Sequence, residues 1–190
     1  FMDKKYKLAC SLTGNIFSLK KMLLFKEMND VLICDVNARL NEKGIWCNPS
    51  RYDIEKAIRS QVFDKIFKKK LKIQNSFTEN IENSLKLKVL NLVGLSKKAG
   101  LLEIGYDKVI KSLKNNSIDV VLIANEDSKL EGAVLKIIDD RKILLNKTFS
   151  RSEISKAVGY KNVLCVAIMI SNLSATLNSD FYKLMKFKLN

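Results

Sequence analysis

The residues best suited to chemistry in this 190-residue chain are its four cysteines and its 34 lysines and arginines, and the two groups point in different directions. Cys10, Cys34, Cys47 and Cys165 form no C-x-x-C pair, and the chain has no histidine to complement them. Zinc favours clustered thiolates and imidazoles, so this spacing speaks against a structural metal. The missing histidine also removes the usual general base of nucleophilic triads. Gly94, Gly100 and Gly105 have the wrong spacing for either glycine-rich nucleotide fingerprint. The expectation is a chain that binds rather than catalyses, with neither cofactor nor metal.

The cations carry the stronger signal. Against 20 Asp plus Glu they leave a net charge of +14. The first 75 residues hold 16 Lys plus Arg and 8 Asp plus Glu, and the rest hold 18 and 12, so the excess is spread over the whole chain. A surplus of this size concentrates polyanions, of which nucleic acid is the commonest. Lys68-Lys69-Lys70, flanked by Lys65 and Lys72, is the densest run. It suits a phosphate backbone and equally a solvated helix end. Trp46 and Tyr52 could stack on bases, although a Trp followed by strand residues also suits a core. Charge alone does not choose between RNA and DNA.

The pattern of apolar residues divides the chain into elements. Strands are predicted over 19–26, 31–36 and 44–47, with a polar turn at 27–30. Ser50 and Asp53 open a helix whose apolar stripe runs through Ile54, Ala57, Ile58, Val62, Phe63, Ile66 and Phe67. Residues 74–83 are polar and read as a linker. Beyond them Ile81, Leu85, Val89, Leu92 and Val93 recur at helical spacing until Gly100. Helices near 107–114, 130–138, 150–158 and 173–187 then alternate with strands at 120–124, 143–145 and 163–170, the pattern of a layered α/β unit. The longest apolar run has eight residues, whereas a membrane-crossing helix needs about 20. No targeting segment is evident, and the expected setting is the cytoplasm, away from membranes.

Two stretches resemble known bacterial families. Cys10-Ser-Leu-Thr13-Gly14, then Met22 and Phe25, then Asp35 through Arg39, Leu40, Lys43, Gly44 and Trp46 resembles the YlxR family of small RNA-binding proteins. Leu92 through Lys97-Lys98-Ala99-Gly100, Gly105 through Lys111, Ile123 through Ser128, and Ser152 through Gly159 is similar to the YlxQ family of the kink-turn-binding ribosomal protein superfamily. The resemblance implies a YlxR-like basic α+β domain over 1–73, a linker over 74–83, and a YlxQ-like α/β/α three-layer sandwich over 84–190. It also implies an RNA partner, ribosomal or otherwise structured, and through it the ribosome.

From the same resemblance come the expected contact residues. In the superfamily, RNA meets a helix start with the pattern G-x-N-E-x-x-K, which corresponds here to Gly105, Tyr106, Asp107, Lys108 and Lys111. A glycine admits close approach of backbone, and open N–H groups at a helix start attract phosphate. Asp107 keeps an acceptor for guanine N–H groups but lacks the amide donor, and Lys108 supplies a donor where an acceptor is usual. Lys97 and Lys98 match a cationic pair common in YlxQ relatives. Arg39 and Lys43 stand in the YlxR signature loop, with Lys43 lacking the planar fork of an arginine. The main alternative is a DNA-binding, nucleoid-associated transcription regulator.

Overall fold

The computed structural model describes residues 7–37, 43–125, 128–138 and 142–189, with the backbone alone at 128–130. Arg39 and Leu40 of the YlxR-like signature, together with Glu126 and Asp127, lie outside the described residues. The chain forms two compact units. One comprises the chain up to Lys88 together with the chain from Ser179 onward, and the other comprises Val89–Asn178.

The first unit opens with β1 (Lys7–Ala9) and β2 (Ile16–Ser18), a two-stranded antiparallel pair. Residues 19–21, expected to begin a strand, make a single 3-10 turn instead. β3 (Leu23–Met28) and β4 (Val31–Asp35) then form a hairpin across Asn29 and Asp30. Both turn residues have positive φ, which matches the right-handed twist of the flanking strands. β5 (Ile45–Cys47) joins the other side of β3, giving the order β4-β3-β5. Leu23, Leu24 and Phe25 are buried, with the Phe25 ring 5.3 Å from that of Phe63 and 6.3 Å from that of Phe77.

Helix α1 (Arg51–Arg59) starts as expected, with Ser50 Oγ accepting the Asp53 N–H at 3.2 Å. The apolar stripe continues to Phe67, but the helix does not. Gln61 takes a left-handed conformation and a separate short helix, α2 (Val62–Phe67), follows it. Helix α3 (Phe77–Lys98) takes in most of the stretch read from sequence as a linker. Phe77, Thr78 and Ile81 are buried, and the Arg51 guanidinium bonds to Glu79 and Glu82 on the polar side of the same turns. Residues 77–83 are thus a helix whose polar side chains are held by a partner 28 and 31 positions away.

The second unit continues with β6 (Leu102–Ile104), α4 (Tyr106–Lys114), β7 (Ile118–Ile123), α5 (Ser128–Ile138), β8 (Leu144–Asn146), α6 (Arg151–Val158), β9 (Cys165–Met169) and α7 (Asn172–Lys188). Its sheet has the order β6-β9-β7-β8, with β7 and β8 parallel and the other pairs antiparallel. Both edge strands are three residues long. Alternate residues of a strand face opposite sides of a sheet, and both sides are covered here. Val121, Ile123, Cys165 and Ala167 pack with Val109 and Leu113 of α4 and Val134 and Ile138 of α5. Val120, Leu122, Val166 and Ile168 face the other way and are equally buried. Val89 and Val93 of α3, Ile154 and Val158 of α6, and Leu177 of α7 are buried outside the cluster that α4 and α5 form, which leaves these helices to cover that side. On this side a Cβ at Gly94 would lie 2.9 Å from the Ala157 carbonyl oxygen, so a glycine is what lets α3 meet α6. The result is the expected α+β first part followed by a helix–sheet–helix sandwich.

Candidate nucleic-acid interface

The polar features of the second unit gather at the end of the sheet where β6 and β7 finish and β9 begins. The Gly105 N–H donates to the Cys165 carbonyl at 3.1 Å, which fixes the start of α4 beside the start of β9. The Ala124 N–H donates to the Leu164 carbonyl at 2.8 Å, and the Asn125 N–H to the Phe149 carbonyl at 3.0 Å, so the end of β7 and the approach to α6 meet there too. The turn 159–163 leads directly into β9, and its Val163 N–H is held by Ser155 Oγ of α6 at 2.9 Å.

Gly105 is the residue preceding α4, with φ +93 and ψ 157, a conformation that side chains rarely adopt. A Cβ there would meet nothing within 4 Å, so the glycine serves conformation rather than space. No side chain caps this helix, and the N–H groups of a first turn have no partner within the helix itself. Tyr106 is 47 % exposed, and Asp107, Lys108 and Lys111 are exposed as well. Open N–H groups and the positive end of the helix dipole favour an anion at this point. Asp107 works against that attraction, while Lys108 and Lys111 reinforce it.

A second feature lies on α6 and the turn that follows it. Arg151, Ser152, Ser155, Lys156, Gly159, Tyr160, Lys161 and Asn162 line an open depression of about 840 Å³. Its lining contains three cationic residues and no carboxylate. Glu153 is occupied in the capping box, accepting from the Ser150 N–H at 2.8 Å while Ser150 Oγ accepts the Glu153 N–H at 3.2 Å. Tyr160 is 56 % exposed at the rim, an aromatic face on which a base could stack. The sequence reading missed this surface. Its available signal was a polar, aromatic turn, Gly159-Tyr160-Lys161-Asn162, between a capped helix and an apolar strand.

The sequence-derived residues divide accordingly. Gly105, Tyr106, Asp107, Lys108 and Lys111 come together on one helix. Lys98 is exposed at the end of α3. Lys97 is half-buried, with its ammonium donating to the Val158 carbonyl at 2.6 Å and lying 3.9 Å from the centroid of the Tyr160 ring. It is therefore committed to the last turn of α6. Lys43 is exposed and belongs to the first unit, whereas Arg39 is outside the described residues. Trp46 is buried and Tyr52 exposed.

Among the described residues no group of three His, Cys, Asp or Glu could hold a metal ion. No described helix is long and apolar enough to cross a membrane. No protein-family model matches the chain, and no curated protein matches it. Among solved structures, a protein of unknown function from Bacillus halodurans is 20 % identical, with the match covering 49 % of this chain and 95 % of that one at a TM-score of 0.46. The Giardia lamblia 15.5kD RNA binding protein is 17 % identical, with 56 % of this chain and 89 % of that one covered at a TM-score of 0.45.

Proposed function

We propose that this chain is a non-catalytic, cytoplasmic bacterial RNA-binding protein whose second unit grips structured RNA, ribosomal RNA included, at the sheet end that carries the start of α4. The observation that carries the reading is the Gly105–Cys165 hydrogen bond, which puts an uncapped helix start at the sheet end that the turn 159–163 enters. One feature offers N–H groups and Lys108 and Lys111 to phosphate. The other offers Lys156, Lys161 and the Tyr160 ring. Phosphate contacts position a nucleic acid, and an exposed aromatic face suits the unstacked bases of loops and bulges. The similarity of Gly105 through Lys111 to the YlxQ pattern supports the same surface, and the YlxR-like stretch supports a partnership with RNA for the whole chain. The reading calls for no metal and no cofactor.

The test is a titration of the full chain, at one fixed salt concentration, against a kink-turn RNA, a ribosomal RNA fragment and duplex DNA of equal length. Tighter binding to the folded RNAs is expected. Equal or tighter binding to the duplex DNA would favour the nucleoid-associated regulator instead, and failure to bind any of the three would end both readings.

A further inference from the structure

A cysteine sulfur at the end of β1 sits in surroundings that RNA binding does not use. The chain turns tightly there, with the Gly14 N–H donating to the Cys10 carbonyl and the Cys10 N–H to the Asn15 carbonyl, both at 2.8 Å. The Ser11 N–H donates to the Trp46 carbonyl at 2.9 Å, which lays this turn alongside β5, the strand that ends at Cys47. Cys10 Sγ accepts the Asn48 N–H at 3.2 Å. The Cys47 side chain, the Thr13 side chain and the Leu12 backbone also favour the charged form of this sulfur. Surroundings of this kind suit a thiolate. The Cys47 thiol is the foremost of these groups, and together they outweigh burial and hold Cys10 down to about 4. Cys47 moves the other way, because it shares its proton with Cys10 and is itself buried.

Cys10 is 2 % exposed, yet its cover is thin, for Ser11, Thr13, Gly14 and Asn15 are all exposed. The other cysteines differ. Cys34 is pushed upward, chiefly by burial, and stays a thiol, and Cys165 is buried within β9.

We propose that Cys10 and Cys47 form a redox-responsive pair that closes to a disulfide when the protein meets hydrogen peroxide. The Cys10 thiolate attacks one peroxide oxygen, the O–O bond breaks, and the departing hydroxide takes up a proton and leaves as water. Cys10 is then a sulfenic acid. The Cys47 sulfur attacks the Cys10 sulfur, forming the S–S bond, and its thiol proton leaves with the displaced hydroxide as a second water. Two thiols lose two electrons in all, and one peroxide becomes two waters. The bond ties the turn that joins β1 to β2 onto β5, and a dithiol reductant restores the open form.

The experiment treats the folded full chain, at a concentration too low for intermolecular pairing, with hydrogen peroxide. Remaining thiols are then alkylated under denaturing conditions and the peptides are mapped by mass spectrometry. The expected result is a fall from four alkylated cysteines to two, with a Cys10–Cys47 cross-linked peptide that dithiothreitol abolishes. The C34S/C165S variant, which leaves the pair intact, should lose both of its remaining thiols. Four alkylated cysteines, a bond to Cys34 or Cys165, or Cys10 carried to sulfinic acid with Cys47 still free would each overturn the proposal.

Discussion

Lys97 donates to the carbonyl oxygen of Val158 across 61 positions of sequence, joining the last turn of α3 to the last turn of α6. The final carbonyls of a helix have no partner within it, and a cation at that end also meets the negative pole of the dipole. The Tyr160 ring beneath the ammonium adds a third attraction. Lys97→Ala should therefore lower stability by about 1–2 kcal/mol. Lys98→Ala, exposed one residue later, should change it by less than about 0.5 kcal/mol. Urea denaturation of the two variants side by side checks this.

Salt dependence separates the cations that meet phosphate from those that hold the fold. Each lysine in contact with duplex-like RNA steepens the log–log slope by about 0.9. Replacing Lys108, Lys111 and Lys161 together by alanine should reduce the slope by about 2 to 3 for a folded RNA. Lys65, Lys68 and Lys70 replaced in the same way report on the first unit. A slope unchanged by the first triple variant and flattened by the second would move the interface there.

Two glycines should respond to alanine for different reasons. At Gly105 a methyl group has free space but the backbone lies at φ +93, so the loss is conformational strain of about 1–3 kcal/mol. At Gly44 a Cβ would sit 2.6 Å from the Phe25 carbonyl oxygen and 2.7 Å from Leu24 Cδ1, in addition to a φ of +154. Gly44→Ala should cost more than Gly105→Ala, as read from thermal midpoints. Equal losses would mean that β3 yields freely to the added methyl.

Acid should weaken one contact of the first unit in a defined direction. Lys69 bonds to Glu27 at 2.9 Å and to Asp30 at 2.7 Å, bridging the β3–β4 turn. That ammonium holds both carboxyls below their usual range. Carboxylates lowered by folding contribute stability above their unfolded pKa values, and the contribution is lost as pH falls through the folded ones. Wild type should be more stable than Lys69→Met near neutral pH, with the gap closing below about pH 4. High salt should narrow the gap throughout, because the charges are exposed. Denaturation curves across pH measure it, and a gap that persisted in acid would assign the effect to packing of the lysine stem.

A buried cluster makes the sharpest stability prediction. Asp180 of α7 is 1 % exposed and pairs with Lys88 at 3.2 Å and Lys183 at 2.9 Å, while Lys88 also donates to the Val36 carbonyl at 2.7 Å. Burial already presses Lys88 toward its neutral form, with Lys183 adding to the effect. Asp180→Ala leaves two ammonium groups without their shared counter-charge, which should cost about 3–5 kcal/mol. Chemical denaturation of this variant, with Lys88→Met and the double variant, closes the cycle and gives the coupling directly.

What could be read from sequence was what local rules decide. The Ser150 and Glu153 capping box, the polar turn ahead of β4 and the apolar run of β7 are each written in adjacent residues, although the turn takes up only Asn29 and Asp30 where 27–30 was expected. Those that failed were decided by distant partners. The stretch 74–83 looks like a linker because its glutamates are polar, and nothing nearby reveals that Arg51 gathers Glu79 and Glu82. The stripe from Ile54 to Phe67 reads as one helix because periodicity survives the break at Gln61. β1, β2 and β6 are three residues each, too short for alternation to register. At the proposed interface, the start of α4 was suggested by its resemblance to a family pattern. The depression at 151–162 was not, because it takes shape only when α6 folds back over the turn that follows it. Lys97 looked like a free cation because its partner is a backbone carbonyl, which no side-chain pattern announces.

The three-residue borders of the second sheet have a bearing on behaviour in a crowded solution. A strand at a border shows a row of unpaired amides to any passing chain, and long, flat borders recruit further copies. Here Leu102–Ile104 and Leu144–Asn146 are too brief for an intruder to gain more than a few bonds. The sheet of the second unit therefore offers other copies of the chain little purchase for fibrillar self-association.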